Sequence, residues 1–149
     1  MTSRIWYRLA SMFFLLFAAG HTAGFLRLRA PTPEAQAVRA AMDSVHFQMR
    51  GAELSFGGFY VGFGLFVSAY LLFAALVAWQ LGRLSETTDV APIGWGLFAV
   101  QLVSVALSAI YFTSLQVIFS LIAAALVGAG LITIRLGHIV QGAHESVAG

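Results

Sequence analysis

From Val90 to Ile134 the chain carries no charged side chain. As one helix rising about 1.5 Å per residue, that stretch would be about 67 Å long, roughly twice the ~30 Å hydrocarbon core of a bilayer. It must fold back once. The segment "YFTSLQ" at 111–116 offers the place, because Thr113 followed three residues later by Gln116 has capping-box spacing. In that motif each side chain answers an orphan backbone N–H of the new helix.

Two further charge-free stretches run from Leu9 to Leu26 and from Leu54 to Gly82, and a spanning helix needs about 20 apolar residues. The sequence therefore predicts an all-α integral membrane protein, a four-transmembrane-helix bundle with spans at about 6–26, 55–82, 91–112 and 115–136 in a single membrane domain over 1–149. Of the 149 residues, 60% are hydrophobic and 9% charged, whereas a soluble domain carries about 25% charged residues. Too little polar surface remains to cover a water-facing protein, so the lipid bilayer is the expected partner. Backbone polar groups have no partner in lipid, which leaves bundled helices as the expected form. Eight basic residues, all arginine, stand against six acids without a basic cluster, so nucleic acid is not an expected partner. The absence of cysteine excludes disulfides, thiolate metal sites and cysteine nucleophiles.

The first span opens like a signal peptide, with Arg4 and Arg8 before the apolar run. The small residues after it make poor cleavage sites, so a retained helix is expected. Between the first and second spans, "PTPEAQAVRAAMDSVHFQMRG" predicts an amphipathic helix over about 33–50, lying at the membrane interface or capping the bundle. Thr32 serves as N-cap, Pro33 as first residue, Glu34 at the positive end and Gly51 at the exit. Its apolar positions are Ala35, Val38, Met42, Val45 and Met49. Orientation is a tie: Arg4, Arg8, Arg83 and Arg135 fall on one side, Arg27, Arg29, Arg39 and Arg50 on the other. The signal-anchor-like start favours cytoplasmic termini.

Threading the spans brings polar groups to one depth on one side: His21, Tyr60, Tyr111 and Gln116, approached from the loop by His46 and Glu53. On the third span Gln101, Ser104, Ser108 and Tyr111 form one stripe, spaced for interhelical hydrogen bonds or ligand contact. On the second span Phe56, Phe59, Tyr60, Phe63, Phe66, Tyr70 and Phe73 share a broad face. It suits either tight packing or an aromatic wall for a flat hydrophobic ligand such as a quinone, sterol or carotenoid. Gly20 with Gly24, and Gly58 with Gly62, are GxxxG pairs expected to bring the first two spans close together.

His21 lies between Gly20 and Gly24, near the end of the first span. An ionisable group in a span is a functional candidate. Three roles compete: a hydrogen bond across the helix pair to Tyr60 or Ser108, proton transfer, or metal or haem ligation. In each, the ring is expected to face the second or third span rather than lipid. No second histidine sits at similar depth on another span, His138 and His144 being at the opposite end, and no histidine pair has i,i+4 spacing. No metal is therefore expected. His21 with Glu53, or His46 with Asp43, could serve as acid and base.

With "AGHTAGF", the Arg/Pro/Glu loop and "FGGFYVGFGLF", the chain resembles a group of small bacterial four-helix membrane proteins of unknown function. The resemblance implies a bacterial source and no activity, and the expected location is the bacterial inner membrane. Taken together, these features predict a non-enzymatic membrane protein that acts by helix association, as a self-assembling or accessory subunit. One alternative is a binding protein for a quinone, sterol or other lipid in a pocket lined by His21, Tyr60, Phe63, Gln101, Ser108 and Tyr111. The other is an enzyme acting on a lipid-like substrate through His21 and Glu53.

Overall fold

The computed structural model describes residues 2–27, 30–85 and 89–148, and of 138 and 140–148 only the backbone. Arg29 and the side chains of His138 and His144 thus lie outside the described residues. The elements in chain order are α1 (Ser3–Leu26), α2 (Pro33–Ser44), β1 (His46–Met49), β2 (Ala52–Ser55), α3 (Phe56–Leu84), α4 (Ala91–Tyr111) and α5 (Ser114–Ala148). Helices α1, α3, α4 and the Ser114–Gly137 part of α5 are long and apolar enough to cross a membrane. The chain divides into two compact units, Met1–Phe17 with Leu72–Gly149, and Ala18–Leu71.

In the first unit the start of α1, the end of α3, and α4 and α5 share one core. Small residues line it: Ala10, Ala74, Ala78 and Ala123 are fully buried around the large side chains of Tyr7, Phe14 and Val127. Small side chains let backbones approach, so that dispersion contacts accumulate between the helices. The Ser11 hydroxyl reaches across to the Ala75 carbonyl at 2.8 Å. The fold-back falls at Phe112 and Thr113, and Ser108 and Ser120 pair across it at 3.0 Å. Thr113 and Gln116 bond side chain to side chain, while the Gln116 N–H donates to the Thr113 carbonyl at 3.1 Å. The two residues meet there, though not in the reciprocal side-chain-to-backbone pattern of a capping box. The Phe119 ring meets those of Phe13 and Phe17 at a tilt, with ring centres 5.5 and 5.0 Å apart.

Tyr7 is the tightest fit in this unit. A Cβ at Gly130 would stand 2.9 Å from Tyr7 Cζ, and one at Gly94 would stand 2.6 Å from its hydroxyl oxygen. Glycine is required at both positions because the ring already fills the space.

In the second unit, Thr32 caps α2 by accepting from the Ala35 N–H at 3.2 Å, with Pro33 beginning the helix. The Glu34 carboxyl is held below its ordinary pKa by a bond to its own backbone N–H and, after that, by the Thr32 hydroxyl. The helix expected over 33–50 begins at Pro33 but stops at Ser44, and the residues after it are extended, so a short hairpin joins the helices. Residues 46–49 and 52–55 form an antiparallel hairpin pairing His46 with Ser55 and Met49 with Ala52. Arg50 and Gly51 make its two-residue turn, both with positive φ (49° and 84°), the backbone that a tight primed turn demands. Gly51 therefore turns the hairpin rather than ending a helix. The hairpin seats on α3 through Phe47, whose ring lies 4.8 Å from Phe56 and 5.7 Å from Phe59. Ser55 Oγ accepts the Gly58 N–H at 3.0 Å and so caps α3. The Asp43 carboxylate occupies the space a Gly57 side chain would need, bringing negative charge to the positive end of that helix.

Two substitutions test the Tyr7 slot in opposite directions. Gly130→Ala is expected to lower stability by about 1–3 kcal/mol through overpacking. The Tyr7 hydroxyl is buried without a hydrogen-bond partner among the described residues, so Tyr7→Phe is expected to be neutral or stabilising. Thermal unfolding in detergent micelles measures both.

Candidate functional site

The second unit gathers the polar and aromatic groups around His21. The end of α1 and the start of α3 run close enough for His21 Nε2 to lie 3.1 Å from the Gly64 carbonyl oxygen. A carbonyl only accepts, so Nε2 carries the proton and Nδ1 is the acceptor of the neutral ring. Phe25, one turn further along α1, stacks on the imidazole with centres 5.8 Å apart and planes 9° from parallel. The same phenyl ring meets Tyr60 at 5.3 Å. Its tip fills the space a Gly64 side chain would occupy, so Gly64 lends both its carbonyl and its missing Cβ.

A hydroxyl pair extends this cluster by one turn. The Thr22 hydroxyl donates to Ser68 Oγ at 2.7 Å, with the Ala18 carbonyl also in reach at 2.8 Å. The Ser68 hydroxyl makes a long contact of 3.4 Å to the Gly64 carbonyl. Two side chains of α1, His21 and Thr22, are thereby tied to one turn of α3. His21 faces the second long helix, and its partner is a backbone carbonyl rather than Tyr60 or Ser108.

The remaining candidates fall as follows. Phe63 meets Phe59 edge-on at 4.7 Å and is exposed. His46 directs Nδ1 at the Ser44 carbonyl, 2.8 Å away, and Asp43 pairs with Arg39 at 3.3 Å, so the anticipated His46–Asp43 acid–base pair does not form. Glu53 lies opposite Gln48 in the hairpin and is exposed; no described hydrogen bond joins it to His21. Gln101, Ser104, Ser108 and Tyr111 belong to the first unit, where Gln101 and Ser108 are buried. Ser104 bonds back to the Val100 carbonyl at 3.0 Å, and Tyr111 is 73% exposed. The stripe thus points inward over part of its length only.

The GxxxG glycines need correction. A Cβ at Gly20, Gly24 or Gly62 meets nothing within 4 Å among the described residues, and one at Gly58 meets only the Ser55 cap. The α3 glycines that do meet α1 are Gly64, whose missing Cβ admits the Phe25 ring, and Gly82, where a Cβ would stand 3.3 Å from the Arg4 carbonyl oxygen. Nor do the rings of α3 form an enclosed wall: Phe66 is 75% exposed and Phe73 63%.

Sequence reasoning missed Phe25, Gly64, Thr22 and Ser68. The i,i+4 step from His21 to Phe25 was the available signal. Among the described residues no group of three metal-ligating side chains exists.

The tautomer is directly testable. Nitrogen-edited NMR of the neutral protein is expected to show His21 protonated at Nε2, whereas an Nδ1-protonated ring would contradict the bond to Gly64. No family model, curated protein or solved structure matches this chain.

Proposed function

We propose that this chain is a four-span integral membrane protein of the bacterial inner membrane, with cytoplasmic termini. It works by helix association, self-assembling or serving as an accessory subunit, rather than by catalysis. The observation that carries this reading is the outward face of α1. Ala19, Gly20, Ala23 and Gly24 are all exposed beside Leu16, and the two glycines touch no other element among the described residues. Glycine in a helix interior costs about 1 kcal/mol relative to alanine. Contacts within the described chain return none of that cost at Gly20 and Gly24, whereas close packing against a helix of another chain would.

The bond from His21 to Gly64 supports the same view, since it gives the histidine a positioning role between α1 and α3. A second reading, a site for a quinone, sterol or other lipid, draws on the His21–Phe25–Tyr60 stack and the acceptor at Nδ1. Catalysis by His21 and Glu53 finds no supporting contact.

Native mass spectrometry of the gently extracted protein separates these readings. The wild type is expected as an oligomer or joined to another chain, and Gly20→Leu/Gly24→Leu as a monomer with unchanged helix content. A bare wild-type monomer, or a variant that assembles as before, would overturn the association reading. A stoichiometric small-molecule mass would favour the second.

A further inference from the structure

At one end of the first unit, tryptophans and arginines of different helices come together. Arg8 of α1 sets its guanidinium carbon 5.2 Å from the centre of the Trp79 ring of α3. Arg135 of α5 does the same with Trp95 of α4, also at 5.2 Å. Both distances are within cation–π range. The two pairs share one end of the unit. Gly82, close to Trp79, packs beside Arg4, Tyr7 and Arg8, and Tyr7 in turn lies against Gly94, next to Trp95, and Gly130, on the same helix as Arg135. Ser3 and Ser85 close the same end at 3.1 Å, and Arg83 is exposed there.

The chemistry of such a pair is specific. A guanidinium over an indole keeps N–H donors for a further partner: Arg135 is exposed, while Arg8 is half-buried and its Nε has no hydrogen-bond partner among the described residues. The planar guanidinium fork matches two oxygens of a phosphodiester. Trp79 and Trp95 are themselves partly exposed, the usual state of interfacial tryptophans, which sit at headgroup level. Acidic competition is slight: among the described side chains of this unit the acid is Asp89, already engaged with the Ala91 N–H at 3.0 Å. In the second unit Arg39 is paired with Asp43, and no described arginine there lies over a ring.

We propose that the Arg8–Trp79 and Arg135–Trp95 pairs are headgroup sites for anionic phospholipid. Each guanidinium lies within cation–π range of its indole and turns its remaining N–H donors to the lipid phosphodiester. This rests on the membrane-spanning reading and the cytoplasmic termini proposed above and adds to them a lipid class. The end bearing both pairs meets the anionic cytoplasmic leaflet.

Tryptophan fluorescence tests this on the intact chain, because all of its tryptophans (Trp6, Trp79 and Trp95) belong to the first unit. The protein is reconstituted in bilayers containing brominated phosphatidylglycerol or brominated phosphatidylcholine of the same acyl chains. Phosphatidylglycerol is expected to quench preferentially, by about fivefold in relative affinity for each arginine engaged. Arg8→Gln/Arg135→Gln is expected to abolish the preference and Arg39→Gln to keep it. Equal quenching of the wild type by the two lipids overturns the headgroup sites while leaving the spans intact, and needs no variant to fold. A preference that survives in a folded Arg8→Gln/Arg135→Gln protein overturns them as well. Quenching by neither lipid would instead count against the membrane reading itself.

Discussion

A chain with so few polar side chains must satisfy its backbone amides and carbonyls from within, and this requirement shapes everything else in the molecule. Helices meet it locally, one hydrogen bond per residue, which is why the charge-free stretches become α1, α3, α4 and the apolar part of α5. Packing these helices together in the first unit draws on small residues. The alanines of the first unit, and the glycines around Tyr7, let four helical segments close on one aromatic ring. Several inner hydroxyls bond to backbone carbonyls or to one another, Ser11 to Ala75, Ser108 to Ser120 and Thr22 to Ser68, whereas the Tyr7 hydroxyl has no partner among the described residues.

His21 follows the same logic. Its nearest polar partner is the carbonyl of Gly64, a residue whose missing side chain also admits Phe25. A histidine so engaged is a positioning residue that fixes the end of α1 to the start of α3. The glycines flanking it in sequence serve neither this bond nor the approach of α3, and they remain on the outside of α1. That division, an inward histidine and outward glycines within one short segment, links local geometry to the proposed association with another chain.

The long helices were legible from the length of the charge-free stretches, and the turn at Phe112 from the bilayer length that the third stretch exceeds. The Thr32 cap and Pro33 were legible because helix starts carry local chemistry. The hairpin was not, although His46, Gln48, Glu53 and Ser55 alternate with Phe47, Met49, Ala52 and Leu54. A helical spacing of Val45 and Met49 competed with that alternation, and the positive φ at Arg50 is not written in an arginine. The partner of His21 was out of reach for a different reason, since a carbonyl leaves no mark in the sequence. The Arg8–Trp79 and Arg135–Trp95 pairs join residues far apart along the chain, so only the fold brings them together.

Aqueous accessibility tests the membrane-spanning claim most directly, because the chain has no cysteine of its own to confuse the labelling. Single cysteines are placed at Leu16, Phe73, Val103 and Leu121, each exposed on one of the four long helices, and at Val38 on α2, which is equally open. Vesicles bearing each variant are treated with a water-soluble maleimide from both sides. Protection of the four long-helix sites, with ready labelling at Val38, is the expected result: these residues are uncovered by protein and shielded by lipid. Labelling of the long-helix sites as fast as Val38 would contradict it, because exposed faces that meet water are not spans.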